Sequence, residues 1–207
     1  MAGLHPCVAA YLDRLPAGLD SYPECIAKAS LLRDVVESRP IDPEGEDVPE
    51  GLRALLRTPP PVSSWIPEVA FVTSRMIVYG RDFGGTDIAG YEQWIHTVNT
   101  ALLRHSLYRV LFAFTAPERL LIGTAKRWSA FHRGSQLAIL EHTPDTALVR
   151  IDFPRHLFSP EMLHGFTAGL RAAVEVAGGR DTSTKLASIA PTRGEYWIRW
   201  KPRAGAF

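Results

Sequence analysis

Apolar residues recur at helical spacing through most of this chain until Gly134, and from there stretches that alternate one in two flank a single helix. That change of period limits the fold more than any other feature. In the stretch from Ala147 to Phe153, the residues Ala147, Val149, Ile151 and Phe153 face one way and Arg150 and Asp152 the other, as in a half-buried strand. Gln136 to Glu141 is expected to pair with it across a His142-Thr143-Pro144-Asp145 turn. A well-marked helix follows. Ser159 stands at the N-cap, Pro160 at the first helical position and Glu161 in the first turn. Leu163, Phe166, Leu170 and Val174 make its core stripe, and Gly178-Gly179 ends it. Thr182 to Ile189 and Glu195 to Trp200 then flank a Pro191-Thr192-Arg193-Gly194 turn. The expected fold class is α+β, a helical N-terminal half packed on a C-terminal antiparallel sheet of ββ-α-ββ order.

The N-terminal half reads as a series of helices punctuated by proline. Val8 to Leu15 forms a short one, and Ile26, Ala29, Leu32 and Val36 after Pro23 form another. The acidic stretch from Pro40 to Glu50 is expected to be an exposed loop, followed by a brief helix over Gly51 to Arg57. Pro59-Pro60-Pro61 stops that helix. Pro67 suits the first position of a longer helix, with Glu68 complementing its dipole, Val69, Val72, Met76 and Ile77 as its stripe and Gly80 at its end. Ile88, Tyr91, Ile95, Val98 and Leu102 mark the next helix. Tyr108 to Phe114 is apolar nearly all round and fits buried helix or strand equally, and Pro117 opens a further helix carrying Ala125 and Trp128. The expected organisation is a helical arm over residues 1–60, packed into the same fold as an α+β unit over 61–207.

Composition excludes several functional classes. With 23 basic and 22 acidic residues, the net charge of +1 provides no global field for nucleic acid or anionic lipid. No stretch approaches the roughly 18 consecutive apolar residues of a membrane span. The N-terminus lacks the basic and apolar regions of a signal peptide, and two cysteines, Cys7 and Cys25, suit a reducing compartment, so the cytoplasm is the expected location. The seven histidines are scattered without metal-ligand spacing, so neither metal nor cofactor is expected. Nucleophile elbows and phosphate-cradling glycine loops are missing too, and the two cysteines read as small core residues.

Chemistry-bearing residues concentrate in Lys126-Arg127-Trp128-Ser129-Ala130-Phe131-His132-Arg133. One reading is an anion or nucleic-acid contact with stacking rings. The preferred reading makes Trp128 and Phe131 core anchors, with basic side chains complementing a helix C-terminus. Trp128, His132 and Arg133, with Tyr108, are the candidate ligand contacts. In the closing strand, Tyr196, Ile198 and Trp200 share one face, which sends Trp197 and Arg199 to the other. Trp beside Arg is the composition of an interface, so these two are the candidate contacts to a second copy or a partner.

The stretch from Ile88 to Pro202 resembles the haem-nitric-oxide-binding and 4-vinyl-reductase-like small-molecule-sensing superfamily, and within it a myxobacterial family. Gly165 and Gly169 inside the long helix, the preceding Val149-Arg150-Ile151-Asp152-Phe153 and the closing Glu195 to Trp200 carry the resemblance. It implies helices layered on a sheet, a buried apolar ligand pocket, dimers and a signalling role. Haem-binding members carry Tyr-x-Ser-x-Arg for the propionates, which this sequence lacks. The expected function is therefore a non-enzymatic sensor or adaptor that binds a small apolar molecule or a protein partner. The rivals are a structural scaffold and an enzyme with dispersed groups, among them His132, Arg133, Tyr108 and Glu195.

Overall fold

The computed structural model describes residues 3–104 and 124–201. Pro6 opens helix α1 (Pro6–Asp13), and the His5 side chain accepts from the Cys7 amide to cap it. Strand β1 (Ile26–Lys28) runs directly into α2 (Ala29–Ser38). Helix α3 (Glu50–Arg57), strand β2 (Trp65–Pro67) and the long helices α4 (Glu68–Phe83) and α5 (Ile88–Arg104) follow. After α6 (Thr124–Ser129) come β3 (His132–Arg133), the hairpin β4 (Gln136–His142) and β5 (Thr146–Asp152), helix α7 (Pro160–Val176), and the hairpin β6 (Arg180–Ala190) and β7 (Arg193–Lys201).

The C-terminal half forms an antiparallel sheet of order β4-β5-β7-β6, so the expected ββ-α-ββ arrangement is the observed one. Local chemistry explains its edges. Ser159 Oγ accepts from the Met162 amide to start α7, and Gly178 with φ 97° follows its end. In β7 the alternation is strict: Tyr196, Ile198 and Trp200 are buried, whereas Trp197 and Arg199 are exposed. A bulge between Ile139 and Glu141 interrupts the β4–β5 ladder beside the exposed Leu140. Helix α7 lies over the sheet and α5 lies along α7.

Helix α4 is the hub of the helical layer. Every residue from Glu68 to Gly80 is buried, so α4 has no solvent face over that stretch, and only its last turn, at Arg81 and Asp82, is exposed. Its polar residues are accommodated individually: Thr73 and Ser74 donate back to the carbonyls of Val69 and Ala70. Helices α1 and α2 pack on this helix. Val8, Leu12 and Leu32 join the same core as Met76 and Met162, and the Tyr11 hydroxyl donates to the Leu157 carbonyl at 2.8 Å.

Three local expectations are corrected. Ile26 lies in β1, not in the helix, which starts at Ala29. Strands β1 and β2 form a small sheet of order β2-β1-β3, pairing Ala27 with both Ile66 and His132. Pro67 accordingly ends β2 and caps α4, and does not occupy its first turn. Helix α4 also runs past Gly80 to Phe83 and closes on Gly84, whose φ of 60° suits a left-handed cap. Gly80 instead gives clearance, because a Cβ there would press into the His5 ring. The Tyr108 to Phe114 run lies outside the described residues.

Candidate ligand cavity

A cavity of about 150 Å³ lies between the helical layer and the four-stranded sheet. Phe71 and Arg75 enter from α4, and Asn99, Leu102 and Leu103 from α5. Helix α7 supplies Gly165, Phe166, Gly169, Leu170, Ala173 and Val174. Leu137, Val149 and Ile198 form the sheet side, Arg127 and Trp128 come from α6, Phe131 from the turn after it and His132 from β3. The helical spacing of Phe166, Leu170 and Val174 thus aims one stripe at the cavity, while Leu163 is buried against the sheet near Tyr196 and Gly194.

Polar groups enter this wall at few points. The His132 ring stacks on Trp128 with centroids 4.2 Å apart and an interplanar angle of 21°. Phe166 meets both rings edge-on, at 5.3 Å from Trp128 and 6.1 Å from His132. His132 Nδ1 lies 3.0 and 3.1 Å from the two carboxylate oxygens of Glu68, which is 0% exposed. This pair fixes the imidazole orientation. Trp128 Nε1 donates to Ser135 Oγ at 3.1 Å, and Asn99 Nδ2 donates to the Ile95 carbonyl at 2.9 Å.

Arg75 differs from these. It is only 4% exposed, and its guanidinium lies 5.2 Å over the Tyr91 ring and 5.8 Å from that of Phe71. Nε and Nη2 have no hydrogen-bond acceptor among the described residues, and the buried Tyr91 hydroxyl is likewise unpartnered. Burial lowers the Arg75 pKa, and the Tyr91 hydroxyl beside it, near enough to interact but outside hydrogen-bond geometry, offsets part of that, with the Glu68 carboxylate adding less. Cation–π contacts contribute about 0.5–2 kcal/mol. Leaving a buried charge unpaired costs about 3–5 kcal/mol. The ring contacts therefore leave Arg75 under-compensated.

Of the residues singled out from the sequence, Trp128 and His132 stand together in the cavity wall. Arg133 does not: its guanidinium sits 4.0 Å over Trp65, a ring that Lys28 also covers at 4.1 Å. Tyr108 lies outside the described residues. Glu195 is on the outer face of the sheet, where it accepts from Ser188 Oγ at 2.9 Å. Trp197 and Arg199 are exposed on that same outer face, with Trp197 43% exposed. Both thiols are poor nucleophiles, since burial pushes Cys7 up to about 11 and Cys25 up to about 12. Among the described residues no three His, Cys, Asp or Glu side chains gather as a metal site, and no helix is long and apolar enough to cross a membrane.

Sequence reasoning missed Glu68 as a partner of His132, and missed Arg75 altogether. A signal for them existed. They stand seven residues apart, on one face of a segment otherwise rich in apolar residues, where a charge must find a partner.

No family model matches the chain, and no curated protein matches it. Solved structures do. An H-NOX structure determined in a study of H-NOX activation aligns with a TM-score of 0.58 at 9% identity, over 84% of this chain and 95% of that one. An oxygen-binding H-NOX domain related to soluble guanylate cyclases, in its oxygen complex, gives 0.55 at 8% identity, over 86% and 95%. The Fe(II) unliganded H-NOX protein from K. algicida gives 0.52 at 9% identity, over 86% and 98%. At these identities the likeness is one of architecture, and the chain has the H-NOX fold.

Proposed function

We propose that this chain is a ligand-sensing domain that holds a small organic molecule between α4, α5, α7 and the sheet, and signals without catalysis. The cavity is the observation that carries the reading, because its wall is almost entirely apolar and aromatic, with a few placed polar groups. Kinship with a myxobacterial family of unknown function, a cytoplasmic location and self-association through the outer sheet face belong to the same proposal. The raised thiol pKa values and the position of Glu195 outside the cavity speak against the enzymatic alternative.

Haem is the group that H-NOX neighbours suggest, and the described residues do not fit it. A space of about 150 Å³ is the size of an engineered cavity that accepts benzene, far too small for a four-pyrrole macrocycle. The fitting ligand is about one ring in size.

Toluene tests the reading. It should raise the melting temperature of the wild-type chain, since a ligand that binds only the folded state stabilises it. Leu170→Trp, which fills the cavity, should abolish that rise while the variant remains folded. No rise in the wild type, or an equal rise in the filled variant, would sink the proposal.

A further inference from the structure

The cavity contains a built-in preference for one ligand chemistry, and its evidence is Arg75. This guanidinium is buried and lines a mostly apolar space, whose other polar lining is Asn99, Arg127 and His132, and its Nε and Nη2 find no acceptor among the described residues. The nearby acid, Glu68, is already engaged through both oxygens by His132. Helix α7 makes room for the cation at some cost to itself. Gly165 is an unfavourable residue in the middle of a helix, and a side chain there would run into Arg75 Nη2. The fold thus keeps a planar donor at the cavity wall with these two nitrogens packed away and without an acceptor, so a ligand pairs with them once the guanidinium turns towards the cavity.

We infer that the ligand is a small monocarboxylate with an apolar body of about one ring, its carboxylate paired with Arg75 and its body among Phe71, Leu103, Trp128 and Phe166. The inference rests on the sensing role proposed above. Guanidinium and carboxylate match as a two-pronged, charge-assisted pair. Inside a low-dielectric cavity that pair gains strength, and it supplies the compensation the rings do not. The apolar wall then selects for the ring-sized body, and a free inorganic anion leaves that wall unused.

The experiment compares benzoate with toluene on the full chain by titration calorimetry and thermal shift. Benzoate should bind the wild type roughly tenfold or more tighter than toluene, the margin of one charged hydrogen-bonded contact. In Arg75→Met the preference should vanish, with toluene binding kept and the ligand-free variant melting no lower than wild type. Arg75→Lys, which retains charge but not the fork, should keep a weakened preference and serves if the methionine variant fails to fold. Toluene binding without a benzoate advantage overturns the carboxylate while leaving the cavity role standing. Binding of neither probe overturns both readings. Stabilisation by sodium chloride equal to that by benzoate also overturns the inference, because it shows a simple anion site.

Discussion

The guanidinium of Arg75 lies against the backbone of Gly165, so any side chain added to α7 at that turn must push the charged tip of an α4 residue aside. The same helix holds a second glycine, Gly169, where an added Cβ would meet Asn99 only at an ordinary 3.7 Å. The two glycines look equivalent in the sequence, but steric need separates them.

Gly165→Ala is therefore predicted to destabilise the protein, although alanine is the better helix former by about 1 kcal/mol. The added methyl must displace a buried cation packed by two rings, an overpacking cost of about 1–3 kcal/mol. In an Arg75→Met background the clash eases and the same substitution should become neutral or stabilising. A double-mutant cycle by denaturant unfolding reads this coupling, and additive effects of the two changes would show that they do not touch.

A pH dependence follows from Asp34 on α2. Burial, with Glu37 adding to it, raises its pKa from the ordinary 3.8 to about 7, and Oδ2 has no hydrogen-bond partner among the described residues. The unfolded chain releases this proton near pH 4 and the folded chain only near pH 7. The group's contribution is thus fully present below about pH 4 and is lost as pH rises through about 7. Asp34→Asn does not titrate, so it should raise the melting temperature relative to wild type at pH 8 and lose that advantage at pH 4. An equal effect at both pH values would rule out Asp34 as the source.

Trp197 bears on self-association. Its neighbours across the ladder are Leu148 and Lys185, and its ring is exposed beside strands whose other face is sealed in the core. If a second copy covers it, Trp197→Ala should weaken the dimer by roughly 2 kcal/mol or more, about thirtyfold in Kd. Protomer stability should change little, as for other exposed positions. Sedimentation velocity across a concentration series measures the shift. An unchanged oligomeric state, or loss of the fold itself, would exclude this face as the contact.

The legible parts of the fold were those whose signals are local. Strand alternation in β5 and β7, the Ser159-Pro160 start of α7 and the turns between strands are written in a few neighbouring residues. Trp128 and His132 could be picked out because aromatic and basic residues cluster there. The small sheet could not be read. Its strands are two or three residues long, too short for any period, and β1 is joined to partners around Ile66 and His132 far along the chain. The cavity was hidden for the same reason. Glu68 meets His132 across 64 residues, and only that pairing turns what reads as a helix-end carboxylate into a buried partner. Arg75 looks like one more charge on a helix until α7 and Tyr91 close over it. Periodicity and caps act between neighbours along the chain and so determine the elements. Burial acts between elements, and it decided which charged side chains were left facing the cavity.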